Sequence, residues 1–383
     1  MKRVAALILL VLAGCGTPSA GQATASPSSS TPSASASASP SPTATVAPAV
    51  AVLDWDQGFT GYTLRLVSAG ARVLASVHAT WTYGGKCGPV EAGILTPPPV
   101  SASDSRAYYL DAGGIKWLKE DGTTGVAFAG IAARANTAIG FAVAPDDSAF
   151  ALNTIDYTAT PLTQHLTVTP VGATALGPEI YSARSPASAP SSAVWPAGWR
   201  GGNLVLAYHF GTCTQGGGPG LGDPTSYHVV NPTTATRLAT IGQDNAGGCP
   251  LSAHPTPAGI PCAGYYGGAT EVLDWTGAHR ATFSASFPGS LSPNGTEYVG
   301  TVGTLGQTSQ TNLTLIHADG TATPLPGPVG DVMWIDDAHF LVEPNNTGTG
   351  SAQPQVFSVS PLQAVPVSAP GTPVARIPGS LGG

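Results

Sequence analysis

Short polar turns recur at a fixed distance along this chain, each leading into a short apolar run, and that spacing limits the fold more than any other feature. Ser103-Asp104-Ser105, Pro145-Asp146-Asp147, Pro293-Asn294-Gly295 and Asp336-Asp337 precede the runs Ala107 to Leu110, Ala149 to Leu152, Tyr298-Val299 and Phe340 to Val342. Asp104 to Asp146 is 42 residues, and Asn294 to Asp336 is again 42. Arg200-Gly201-Gly202-Asn203 before Leu204 is a further copy. A second kind of turn carries Gly at Lys119 to Gly122, Asp274 to Gly277 and His317 to Gly320. Val52-Leu53-Asp54-Trp55 recurs as Val272-Leu273-Asp274-Trp275, 220 residues on, or five units of 44.

Helical periodicity is nearly absent, because Gly or Pro interrupts almost every window of a dozen residues. Short alternating or β-branched runs take its place, among them Tyr62 to Val67, Arg72 to Val77, Leu166 to Thr169, Asn203 to Tyr208 and Asn312 to Ile316. Gly, Pro, Asn or Asp bounds each, which predicts an all-β chain. A meander of 40 to 45 residues has two apolar faces, and packing such units around a ring covers both.

The turn pattern, with Leu291 to Gly295 and Val143 to Asp147 as its clearest copies, resembles WD40-like and TolB-type β-propellers. The resemblance implies a β-propeller of about seven blades, six or eight being the neighbouring counts, and brings no catalytic residues. It further implies that the second turn joins the inner strands of a blade. The chain departs from WD40 repeats in showing Asp-Trp at Asp54-Trp55 and Asp274-Trp275 instead of a closing Trp-Asp. Tandem β-sandwiches are the alternative architecture. Ring closure is expected to set Val50 to Trp55 beside Gln355 to Val359, removing exposed edges.

The N-terminus reads as an address. Lys2 and Arg3 precede nine apolar residues, Val4 to Leu12, the length of a signal-peptide core and too short to span a bilayer. Leu12-Ala13-Gly14-Cys15 resembles the lipobox of bacterial lipoproteins. That resemblance implies removal of residues 1–14, lipidation of Cys15 and anchorage to the outer face of the cell membrane. Residues 15–48 are rich in Ser, Ala, Pro and Thr and hold no charge, so they are predicted to stay disordered as a tether. As a coil it would reach roughly 30 Å, and fully extended about 100 Å. The propeller is then expected over 49–360, followed by a Pro/Gly-rich tail over 361–383.

Charge is sparse, with 14 Lys and Arg against 21 Asp and Glu and a net charge of -7. That balance excludes recognition of a phosphate backbone, which needs clustered cations. Beyond Cys15 the chain has Cys87, Cys213, Cys249 and Cys262, an even number suited to an oxidising compartment. Of the three connectivities, Cys249–Cys262 with Cys87–Cys213 is preferred. No C-x2-C pair occurs and only His254 is near, so no metal site is expected, nor any cofactor.

Signatures of catalysis are missing: there is no G-x-S-x-G elbow, no H-E-x-x-H helix and no sialidase-type Asp box. Asp146-Asp147 and Asp336-Asp337 are read as turn residues, whose side chains cap their own backbone. Trp55, Asp54, Asp274 and Trp275 are candidate ligand-binding residues, since a ring and a carboxylate together suit a sugar. Gly211 to Gly222 and Asp244 to Ala263 are the longest insertions, and insertions on one face of a repeat array often carry recognition.

Two functions are therefore expected of a monomer. One is a binding or scaffold lipoprotein recognising a protein, peptide or envelope glycan. The other is an extracellular polysaccharide hydrolase or lyase whose acids converge at the channel. Two or more carboxylates within about 10 Å in a deep pocket would mark hydrolysis, and an uncharged or shallow channel would mark binding.

Overall fold

The computed structural model describes residues 46–82, 86–87, 92–94, 96–132, 137–157, 159, 161–185, 192–210, 213–214, 223–244, 251–262, 269–285, 289–302, 313–326, 330–344 and 353–382. The lipobox, most of the tether, Cys249 and nearly all of Gly211 to Gly222 lie outside them. Among the described residues seven antiparallel sheets follow one another as the blades of a propeller.

Blade 2 is typical: Val100–Ala102, Ala107–Asp111, Gly114–Leu118 and Thr124–Phe128 pair in sequence order. Blades 3, 4, 6 and 7 repeat this order, starting from Thr137–Val143, Ser192–Arg200, Ser290–Leu291 and Gly330–Asp336. Blade 5 has three regular strands, Ile260–Cys262, Thr270–Leu273 and His279–Phe283.

The innermost strands are covered on both faces by neighbouring blades, so they need no polar alternation. Thr137–Val143 is buried at every position, whereas the outermost Gln363–Pro366 is exposed throughout. The core is consequently divided into wedges between blades. Tyr62, Leu64 and Leu66 of blade 1 pack against Tyr109 and Leu118 of blade 2. Val299, Leu313 and Leu315 of blade 6 pack against Trp334 and Phe340 of blade 7. Polar stitches cross the same seams: Trp334 Nε1 donates to the Ser290 carbonyl at 2.9 Å, and Asn153 Nδ2 to the Val194 carbonyl at 2.7 Å.

The 42-residue repeat has a direct structural meaning. Ser103 to Arg106, Ala144 to Asp147, Ser292 to Gly295 and Asp336 to His339 each join the first and second strands of a blade. Two of them hold a left-handed residue, Asp147 at φ 63° and Gly295 at φ 80°. Adjacent copies also touch, since Ser105 Oγ donates to Asp147 Oδ2 at 2.6 Å and Asn294 N to Asp337 Oδ1 at 2.8 Å.

Four expectations need correction. The Gly-bearing turns at Lys119, Asp274 and His317 join the third and fourth strands, the outer pair of a blade, and not the inner ones. The Val-Leu-Asp-Trp repeat falls out of phase: Ala49–Trp55 is the second strand of its blade, whereas Val272-Leu273 ends a third. The ring closes through Thr372–Ile377, which pairs with Ala49–Trp55, while Gln355–Ser358 stays inside blade 7. Residues 361–383, read as a tail, thus contain the innermost strand of blade 1.

Cysteine pairing is the fourth. Ala92–Ile94 runs between Lys86–Cys87 and Cys213–Thr214, with Cys87 opposite Ala92 and Cys213 opposite Ile94. Two strand spacings, about 10 Å, separate those backbones. A disulfide needs Cα atoms within about 7 Å, so this register does not form the Cys87–Cys213 bridge. Cys262 is disulfide-bonded.

Closure from both termini predicts a sharp asymmetry in truncation. Deleting 50–60, or everything after 371, should lower the melting temperature by at least about 10 °C, whereas deleting 17–45 should leave it unchanged. Calorimetry of the three variants checks this, and a 50–60 deletion that melts like the intact chain would refute the closure.

Candidate functional site: the central channel

All innermost strands run the same way along the ring axis, which gives the propeller two distinct ends. Turns between first and second strands lie at the end where the inner strands finish. Second strands finish, and third strands start, at the end where the inner strands begin. We call these ends the floor and the mouth.

Between them runs a cavity of about 140 Å³ lined by every blade, including Ser101, Phe141, Ala197, Leu291, Met333 and Trp334. Small residues on the inner strands make this space. At Gly140, behind that wall, a Cβ would stand 2.6 Å from the Trp195 ring. The polar groups of the wall are mostly engaged. Ser101 Oγ accepts from Val143 N, Tyr227 OH donates to the Ser252 carbonyl, and Thr256 Oγ1 donates to the Gly259 carbonyl.

The floor is built by the last residues of the chain. After Thr372–Ile377, Gly379 N donates to the Ser103 carbonyl and Ser380 N to Asp104 Oδ1, both in blade 2. Leu381 N then donates to the Trp199 carbonyl, and Arg200 Nη1 to the Leu381 carbonyl at 2.7 Å, in blade 4. The segment thus crosses this end of the channel, with Pro378, Gly379 and Leu381 forming part of the cavity wall. Leu381 is buried with Val205, Ala207, Tyr227 and Trp275.

Besides Tyr227, two titratable side chains line the cavity, Arg376 and His254. Arg376 lies near the floor, where burial lowers its pKa against the opposing pull of Asp337, Asp104 and Asp336. His254 sits on a bulge of the blade 5 inner edge. Ser252 N donates to the Pro261 carbonyl and Thr256 faces Gly259, which leaves Ala253, His254 and Pro255 opposite Ile260 alone. Such an irregularity re-aims a side chain, and Pro255, which cannot donate, fits it. Burial lowers the His254 pKa, and the charge of Asp331 opposes that.

At the mouth, Asp223 and Asp331 are both open to solvent, yet protein crowds Asp223 enough to push its carboxyl up to about 6. The Ala253 N–H bonded to it pulls the other way, and Asp331 adds to the rise. Burial likewise raises Glu343. Among the described residues no Asp or Glu lines the cavity itself.

The two Asp-Trp pairs do not form one site. Asp54-Trp55 stands at the mouth, where Asp54 pairs with Arg65 at 3.1 Å and Trp55 packs edge-on with Phe59, Tyr62 and Trp81. Asp274-Trp275 stands at the opposite end. Trp275 is buried, donates to the Thr256 carbonyl at 2.9 Å and carries Arg200 over its ring. Asp274 Oδ1 accepts from Thr276 N and Ala278 N, which is a turn role. Asp146-Asp147 and Asp336-Asp337 also sit in floor-side turns; Asp146 and Asp336 cap their own backbone as expected, whereas Asp147 pairs with Arg106 and Asp337 accepts from Asn294 N in the neighbouring blade.

Comparison with protein-family profiles and with curated proteins finds no match. Solved structures do resemble the ring. The oligogalacturonate lyase of Vibrio parahaemolyticus aligns at TM-score 0.46 and 10% identity, over 80% of this chain and 90% of that one. The β-propeller domain of Cps50 (Swd1) from Myceliophteria thermophila aligns at 0.42 and 10%, over 78% and 94%.

One further cluster looks catalytic and is not. Ser226 Oγ and His228 Nε2 both meet Asp244 Oδ1, and Ser226 Oγ lies 3.1 Å from the same His228 nitrogen. A proton relay needs the two imidazole nitrogens to serve different partners. Burial raises the Asp244 pKa, but hydrogen bonds from Ser226, His228 and Arg237 outweigh it and hold the group at about 2.

The residues that sequence reasoning missed are Arg376, His254 as a wall group, Asp223 and Asp331. Arg376 was hidden by the Pro and Gly around it, although Thr372 to Ile377 alternates like a strand.

The floor and the mouth-side wall each yield a test. Leu381→Ala should cost about 2–3 kcal/mol, read as a lower denaturant midpoint at unchanged slope. His209 is buried, its Nε2 has no partner, and burial lowers its pKa from 6.5 to about 4. Its folded pKa lies below the unfolded one, so its contribution is complete above pH 6.5 and is lost as pH falls towards 4. The loss amounts to about 3 kcal/mol. His209→Leu should flatten the stability profile over that window in pH-dependent urea titrations, and an unchanged slope would refute it.

Proposed function

We propose that this protein is a binding lipoprotein of the cell envelope, anchored through Cys15, which draws one small group of a peptide, protein or glycan into its channel from the mouth. The observation that carries this reading is the channel itself: the C-terminal segment crosses one end, and no described carboxylate lines the wall. Hydrolysis of a glycoside needs two acids flanking the scissile bond, and Asp223 and Asp331 stand outside the cavity. At about 140 Å³ the space is below the volume of a typical small-molecule pocket, so it suits one residue-sized group of a larger ligand. The half-buried Trp55 beside exposed Phe59 at the mouth supplies surface for the remainder. Cys249 is the proposed partner of Cys262, fixing the segment that carries His254.

Two experiments test the reading. Cys15→Ser should move the protein from the membrane to the soluble fraction, and unchanged fractionation would count against the anchor. Peptide and glycan fragments released from envelope material should bind the full chain and bind Ala197→Leu at least 10-fold more weakly, because that side chain would fill the channel. Equal binding by both proteins would move recognition away from the cavity.

A further inference from the structure

Arg376 is a cation on the channel wall. Among the described residues it makes no ion pair within 4 Å, and its hydrogen bond to the Ser380 carbonyl is long at 3.4 Å. A guanidinium has five donors in a rigid fork. Three acids attract Arg376 from the floor side, and each also accepts a backbone N–H. Asp104 Oδ1 accepts from Ser380 N, and Asp337 Oδ1 from Asn294 N. Asp336 accepts from Ala338 N and from His339 Nδ1 at 2.9 Å. Arg376 is itself part of the channel wall.

The rest of the wall narrows what can meet those donors. Phe141, Ala142, Ala197, Met333 and Trp334 present apolar surface, and the hydroxyls of Ser101, Thr256 and Tyr227 are engaged. A sugar ring would leave several hydroxyls unpaired there, at about 1–3 kcal/mol each. An aliphatic body would not. A cavity of about this volume holds a group the size of benzene, about six heavy atoms. The floor acids and the mouth acids Asp223 and Asp331 disfavour a dianion such as phosphate, since every added charge faces them. A single carboxylate, accepted by the guanidinium as a paired fork, is what remains.

From a guanidinium that makes no direct ion pair among the described residues, at the floor of a largely apolar channel, we infer that the channel takes an aliphatic monocarboxylate, head first, with its carboxylate on Arg376. This rests on the binding function proposed above and names its chemistry. The free C-terminus of a peptide ending in a small apolar residue and a short-chain carboxylic acid share that chemistry.

Calorimetric titration of the full chain with matched pairs tests the inference. The probes are propionate against propionamide, and an N-acetylated peptide ending in Val-Ala as free acid against its C-terminal amide. Each acid should bind at least 10-fold more tightly than its amide. Arg376→Gln should abolish that difference, and Arg376→Lys should restore part of it. A peptide acid that binds far more tightly than propionate identifies a peptide terminus as the source, and parity identifies a small acid. The acid–amide comparison in the unmodified protein needs no variant, so a misfolded Arg376→Gln leaves it decisive. Equal binding of acid and amide would overturn the carboxylate and leave the binding function standing. Binding of neither would overturn it too, while the Ala197→Leu comparison judges the broader function separately.

Discussion

Everything in this ring depends on one seam, where strand Ala49–Trp55 from the start of the domain pairs with Thr372–Ile377 from its end. A propeller blade covers its apolar faces only against neighbours, so a ring left open by one seam exposes two of them together with two strand edges. Val50 and Val52 are fully buried against Met333, Ile335 and Leu341 across the seam to blade 7. Burial of each such valine is worth about 1.5–3 kcal/mol. The same closing strand delivers Ala375 and Arg376 to the channel and leads the chain onto the floor. Stability and the candidate site therefore share one element.

The division of labour between the two ends follows from antiparallel geometry. Turns joining first and second strands are short and repeat closely, because they must pack blade against blade, as Ser105 with Asp147 and Asn294 with Asp337 show. Connections at the mouth escape that demand and vary in length. Acidic residues at the floor are therefore turn components bonded to backbone, whereas Asp223 and Asp331 at the mouth have room to face a ligand. The pairs Asp146-Asp147 and Asp223–Asp331 look alike in composition and differ in what surrounds them.

What the sequence made legible was whatever repeats. Turns 42 residues apart disclosed the ring because each blade needs the same floor-side hairpin, and strand signals in Tyr62 to Val67 or Asn203 to Tyr208 survive in the structure. The site was not legible, because it is assembled from single residues of different blades. Nothing local distinguishes Arg376 from other arginines. The Val-Leu-Asp-Trp match misled for the same reason: four residues specify a β-strand and a turn, but not which strand of a blade they occupy. The closing strand was missed because Pro373 and the glycines beyond it read as a tail, although an innermost strand can carry Pro where its N–H has no partner to lose.

The channel floor is laid by residues that follow the closing strand directly. A chain cut after residue 371 lacks both the innermost strand of blade 1 and the segment that crosses the channel end, so it has an open pipe in place of a pocket. Opening the seam and opening the floor are therefore one event.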